Sequence, residues 1–315
     1  MSKFAKTQQA VSPAKLITAA IIERLEAGVK PWVRPWRSAA STRPLRACGT
    51  PYRGINTFWL WLVADLHGFR SPTWMTFAQA QAFGARVRKG ERSSIAVFYK
   101  SYVPRAGEPS GDRASEEPGP TRRVLRSYAV FNADQIDGLP DRFHPEDDQP
   151  LADPPGRKAG LDAFFGAIPV PLRHHGDQAY YEPLADRVTM PPPHLFRGYD
   201  HYYATLAHEL SHATGHSSRL GRDLKQRFGT AAYAAEELIA ELSSAMLGSE
   251  LGLPVEHLDH HASYLAHWLE LLRQDDRAIL TAAARAEEAS DLLLRLGGRR
   301  EAEVADPALP LTDGV

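Results

Sequence analysis

Along the first hundred residues, apolar positions change from a helical period to a strand period. Leu16, Ile17, Ala20, Ile21 and Leu25 recur at three- and four-residue spacing between Ser12-Pro13 and Gly28, which predicts an amphipathic helix. "GINTFWLWLVADLHGF" predicts a second, more apolar helix from about Asn56, and "TFAQAQAFGA" a third. "SSIAVFYKSYV" and "VLRSYAVFNADQI" then read as strands, separated by the Pro/Gly/Ser/Glu-rich loop at 104–120. The acidic, Pro-rich "HPEDDQPLADPPGR" at 144–157 has the composition of a linker. Beyond it come a short helix near Leu161 to Ile168, a hairpin-like "AYYEPLADRVTMP", a helix from about Tyr199, and helices at 231–250, 255–274 and 276–296.

The pattern predicts an α+β fold in two domains. A basic α+β domain spans 1–143 and a mainly helical domain with a small sheet spans 158–298, with the linker at 144–157 and a disordered tail at 299–315. A chain of 315 residues, 43% hydrophobic, can fill two such cores. No internal repeat is present.

Charge sharpens this division. Residues 1–130 hold 21 Lys and Arg against 8 Asp and Glu, and the remainder holds 16 against 30, although the whole chain has a net charge of only -1. A basic half joined to an acidic one suggests a polyanion-binding module. Five of the six tryptophans (Trp32, Trp36, Trp59, Trp61 and Trp74) fall in that basic half, among Arg34, Arg37, Arg43, Arg46 and Arg53. Cations that track phosphates and aromatic faces that stack on unpaired bases are the requirements of single-stranded DNA binding. Trp59 and Trp61 lie in an apolar helix, so at least one belongs to the core. Trp32, Arg34, Trp36 and Arg37 lie in a Pro/Arg loop and are the expected DNA contacts, joined by Arg53 and by Lys89 and Arg92 in the turn around Gly90. No helix-turn-helix or heptad signature suggests a duplex reader.

Cys48 is the only cysteine, which excludes a disulfide framework and a cysteine-based metal site. With no apolar leader and no run of about 18 apolar residues, the expectation is a soluble, cytoplasmic protein without a membrane partner.

The chemistry is concentrated in "LAHELSHATGH" at 206–216. On a helix, His208 and His212 project from one face and can share one ion, while Glu209 sits beside it as a general base. The extended pattern HExxHxxGxxH fails, because Ser218 stands where a third histidine would be, and Gly215 should carry His216 away. A glutamate from a following helix is the alternative third ligand. In "YAAEELIAELSSAMLG" the best candidate is Glu237, with Glu236 or Glu241 as substitutes, and Glu241 one turn on could accept the free N–H of a ligand histidine. One zinc ion per chain is expected. A catalytic zinc acidifies water to a pKa of about 7 and polarises the scissile carbonyl, and Glu209 would take the proton and return it to the leaving amine. "DRVTMP" is a candidate edge strand for an extended peptide. Tyr264 and His261 are candidate oxyanion donors, although a core aromatic and a surface histidine explain them equally well.

"PYRGIN", "SPTWMTFAQAQAFGARVRKGE" and "YAVFNADQIDGL" in the first half, with "YYATLAHELSHATGHSSRLGR", "YAAEELIAEL" and "SYLAHWLELL" in the second, resemble the ArdC-type antirestriction proteins of conjugative plasmids. The resemblance implies an N-terminal single-stranded-DNA-binding domain and a C-terminal zincin-like metallopeptidase domain. It also implies protection of incoming plasmid DNA from restriction during conjugation. One reading is a metalloprotease that, tethered to DNA, cleaves a host protein such as a restriction component. The first half is also similar to the domain found in TraC-type primases. The competing reading is a non-proteolytic DNA-binding protector, or a primase-associated protein, whose zinc domain is a scaffold or binding module. An intact Glu209 favours hydrolysis, since a structural site would not need it.

Overall fold

The amphipathic stretch after Ser12 folds as α1 (Pro13–Glu26), started by the Ser12 hydroxyl, which accepts from the Lys15 N–H at 3.2 Å. The structure is a computed structural model that describes residues 12–32, 43–102, 122–144, 156–222, 230–253 and 262–300. The expected loop at 104–120 therefore lies outside the described residues, as do most of the linker and all but the start of the tail.

Two compact units emerge, Met1–Leu151 with Pro254–Ala284, and Ala152–Leu253 with Arg285–Val315. The first differs from the contiguous domain expected, because it takes back a segment from near the C-terminus. The apolar face of α1 explains why. Ile17, Ile21 and Leu25 are buried, and α1 packs against α7 (Ala262–Gln274). Within this packing the Thr18 hydroxyl donates to the Asp276 carbonyl at 2.7 Å. Trp268 meets Trp32 edge to face, with ring centroids 5.8 Å apart, and both indoles are fully buried.

The same unit contains α2 (Ile55–His67) and a four-stranded sheet. Its strands are β1 (Leu45–Arg46), β2 (Thr73–Met75), β4 (Ser94–Tyr102) and β5 (Arg122–Asn132), in the order β1-β2-β5-β4. β1 and β2 are parallel and the other pairs antiparallel. α3 (Phe77–Ala82) starts in a capping box between Thr76 and Gln79, and a separate ladder pairs β3 (Arg86–Val87) with β6 (Ile136–Asp137). The motif "FNAD" ends β5. Asn132 caps the following 3-10 turn through the Asp134 N–H and donates to the Ser71 carbonyl at 2.9 Å, while Asp134 accepts from the Arg70 and Ser71 amides.

The second unit begins with α4 (Arg157–Gly166) and a three-stranded sheet of β7 (Leu172–His174), β8 (Tyr180–Glu182) and β9 (Arg187–Met190). The order is β7-β9-β8, so the expected edge strand at "DRVTMP" is instead the central one, and β7 and β8 form the edges. β9 is buried from Val188 to Met190, which suits a strand bonded on both sides. α5 (Tyr199–Ala213) and α6 (Ala231–Leu251) carry the rest of the core. Small residues let these two helices approach: Ala207, Ser211, Ala240 and Ser243 are all buried, and the Ser211 hydroxyl donates to Ser243 at 3.0 Å. α8 (Ala278–Leu296) passes from the first unit into the second between Ala284 and Arg285. Just past its end Gly297 lies against the Phe164 ring, where an added Cβ would come within 2.1 Å. No helix among the described residues is long and apolar enough to cross a membrane.

Candidate functional site

α5 places His208 and His212 one turn apart on the face that meets α6. Their rings are nearly perpendicular, and His212 Nε2 lies 3.2 Å from His208 Nε2. Glu237, in the second turn of α6, completes the triangle, with Oε2 at 3.7 Å from His208 Nε2 and Oε1 at 3.6 Å from His212 Nε2. Among the described residues these are the ones whose ligand atoms cluster in this way, all within 4.8 Å of one another. Ligands about 2.0–2.1 Å from a tetrahedral zinc ion stand about 3.3–3.4 Å apart. The two imidazole nitrogens stand close to that separation, and Glu237 faces each of them with a different carboxylate oxygen, at 3.7 and 3.6 Å. His208 and Glu237 are 3% and 6% exposed, so their donor atoms are withdrawn from bulk water.

Glu209 shares this burial, at 8% exposed. Desolvation pushes its carboxyl above the ordinary range against the attraction of His208 and His212, and the negative charge of Glu237 pushes it further. The backbone of Tyr181 in β8 also interacts with this carboxyl and pulls the other way. Burial alone would lower the His212 pKa, but its contact with Glu236 and the charges of Glu237 and Glu209 hold it up at about 9. Burial likewise works against ionised Glu237, yet the His208 hydrogen bond and both histidine charges bring it down to about 2. The pocket is thus rich in carboxylate charge, which favours a cation.

The carboxylate behind His212 is Glu236, with Oε1 at 3.3 Å from Nδ1, so at that histidine it takes the part expected of Glu241. Glu241 lies one turn deeper in α6 and is fully buried. The doubled "EE" at 236–237 was the available signal, since the first turns of α6 present both carboxylates to α5. Arg222 holds Glu236 through two bonds of 2.9 and 2.8 Å, and also donates to the Thr214 hydroxyl and the Ser211 carbonyl, each at 2.8 Å. No spacing rule pointed to Arg222.

His216 turns away as expected, with Nδ1 at 2.8 Å from the Ser218 hydroxyl and 3.6 Å from Asp186. Asp186 adopts a positive φ of 46° in the β8–β9 turn and pairs with Arg219, which also donates to the Ala213 carbonyl at 2.7 Å. That pair fixes the hairpin to the end of α5. Tyr264 belongs to the other unit, where its ring stacks on Trp268 at 6.3 Å, as suits a core aromatic; His261 lies outside the described residues.

The expected DNA contacts divide three ways. Trp32 has no exposed face, so it cannot stack on a base. Arg34, Trp36 and Arg37 lie outside the described residues. Arg53, Lys89 and Arg92 are exposed, although Glu91 sits between the last two and accepts from Arg88 at 2.9 Å and Gln135 at 3.0 Å. Trp59 and Trp61 are both buried.

Comparison with known proteins agrees with the two-part architecture. Residues 12–131 match the family described as the N-terminal domain of anti-restriction factor ArdC, and residues 159–285 match a zincin-like metallopeptidase family. The chain is 42% identical over 279 residues to the uncharacterized protein y4eC of Sinorhizobium fredii, covering 87% of this chain and 89% of that one. It is 38% identical to the DNA primase TraC of Escherichia coli over 87% of its own length, but spans only 26% of that primase. Two crystal structures of the antirestriction ArdC protein from plasmid R388 are similar at 41% identity. The metal-free form aligns with a TM-score of 0.77 over 91% of this chain and 98% of that one, and the Mn(II)-bound form with 0.74 over 91% and 99%.

Proposed function

The chain belongs to the ArdC antirestriction family, and from that premise we propose that it is a single-stranded-DNA-binding protein with a metal-dependent peptidase centre that protects incoming plasmid DNA. The observation that carries the peptidase reading is the position of Glu209, buried beside His208, His212 and Glu237, whose donor atoms lie within 4.8 Å of one another. His208, His212 and Glu237 would hold one zinc ion, leaving the fourth position open. The Mn(II)-bound R388 protein shows a relative that accepts a divalent metal, and the donor set here, two imidazoles and a carboxylate, also suits zinc. A divalent ion bound there would polarise a scissile carbonyl and acidify water.

The protein's own residues do the rest. Glu209, its carboxyl raised by burial, takes a proton and returns it to the leaving amine. Glu236 keeps the His212 ring in one orientation, and Arg222 keeps Glu236 in place. β8 is the sheet edge packed against α5, so an extended peptide would add there and not at β9. The basic half would hold the protein on DNA while a host protein is cut. A screen of host proteins and peptides with wild type and Glu209→Ala tests this. Cleavage products in wild type that vanish in the variant support it, and a folded, metal-loaded wild type that cleaves nothing favours the scaffold reading.

A further inference from the structure

We propose that the β4–β5 ribbon forms the single-stranded-DNA track, with Phe98 as the stacking platform and Lys100, Arg126 and Arg46 as phosphate contacts. This rests on reading the basic half as a DNA binder, but it moves the site from the tryptophan loop to a sheet face. The register pairs Ala96 with Tyr128, Phe98 with Arg126, and Lys100 with Val124, and directly opposed residues share a face. Phe98 is 44% exposed on that face, and its ring leans on Tyr128 with centroids 5.9 Å apart. Opposite Tyr128 stands only Ala96, which leaves room for the pair. Tyr128 in turn hydrogen-bonds the buried Tyr52, whose ring has the Arg46 guanidinium 5.5 Å from its centroid. A line of aromatic rings thus runs from Phe98 to Tyr52 with exposed cations at both ends. The strand segments 94–100 and 124–131 contain no Asp or Glu.

This face meets the needs of an unpaired strand. A stacking ring must be exposed yet held still, and Tyr128 supports Phe98 from the side. The outer edge of β4 is already bonded within the unit: Asn56 donates to the Val97 carbonyl and accepts from its amide, both at 2.8 Å, and the Trp59 indole donates to the Ile95 carbonyl at 2.9 Å. Strand addition is blocked along that stretch, so a partner meets the face instead. The cations favour a polyanion, and the exposed ring favours one whose bases are unstacked.

Fluorescence anisotropy of the full chain on a labelled thymidine oligonucleotide, over a series of salt concentrations, tests the assignment. Phe98→Ala should weaken binding roughly five- to 150-fold with little change in salt slope. Arg126→Gln should reduce the log-log slope by about 0.7, one phosphate contact. Phe98→Trp keeps a ring and should bind as wild type does. Tyr99→Ala removes a more exposed ring from the opposite face and should change little. If wild type binds while Phe98→Ala and Arg126→Gln bind equally well, the track is elsewhere and only this inference fails. Equal losses in Phe98→Trp and Phe98→Ala, or in Tyr99→Ala and Phe98→Ala, also overturn it. A wild type that ignores the oligonucleotide overturns the DNA reading itself.

Discussion

The metal group and the ribbon face show two ways of building a site. His208 and Glu237 are buried and His212 is partly buried, and their donor atoms are set by helical phase within α5 and by one helix crossing. Phe98, Arg126, Lys100 and Arg46 are exposed and come from the paired strands β4 and β5 and from β1. The difference follows from the ligands. An ion must be desolvated by a few atoms held to within a fraction of an ångström, whereas a flexible polyanion needs charge and flat surface spread over many. Single substitutions should therefore be decisive at the first site and graded at the second.

The largest structural effect is expected at Trp268, which supports the first unit from the far end of the chain. Trp268→Ala removes the partner of Trp32 and should cost about 3–5 kcal/mol, read as a lower midpoint in denaturant. For the same reason a fragment ending near residue 145 should be less stable than the full chain, since it exposes the apolar face of α1. A fragment as stable as the intact unit would show that α7 is dispensable and would restore the contiguous domain.

At the metal group, Glu236→Gln and Arg222→Gln should each weaken metal affinity about 10- to 100-fold without abolishing binding, measured by competition with a chelator. Glu241→Gln should do less at His212 than Glu236→Gln does. The opposite ranking would return the supporting role to Glu241.

The smallest effect concerns Asp186. Its hydrogen bond from Arg219 holds its pKa down against the opposing effect of partial burial. A depressed carboxylate stabilises the fold above its unfolded pKa of about 3.9, and that contribution is lost as pH falls through the folded value. Asp186→Asn keeps a residue that tolerates positive φ. It should destabilise by about 0.2–1 kcal/mol at pH 7 and by less at pH 3. An equal difference at both pH values would mean that the ion pair contributes nothing.

Which features were legible in the sequence follows the same contrast. α1, α2, α5 and α6 were readable because periodicity and caps are local, and the grouping of His208, His212 and Glu237 followed from spacing within helices. The order β7-β9-β8 was not readable, because the short pattern of β9 does not reveal that both its edges are bonded. Trp32 illustrates the limit most clearly. Its Pro/Arg neighbourhood suggested an exposed loop, but its packing partner lies 236 residues away in α7. Phe98 and Arg126 escaped notice for the converse reason, since they are neighbours only through strand register.

In the proposed centre, His208, His212 and Glu237 would hold one divalent ion with Glu209 as an unbound base. Elemental analysis of purified wild type, His208→Ala, His212→Ala and Glu209→Ala tests it most directly. Wild type and Glu209→Ala should each hold about one equivalent of metal, and neither histidine variant any. Unchanged metal in both histidine variants, or metal lost from a folded Glu209→Ala, would contradict it.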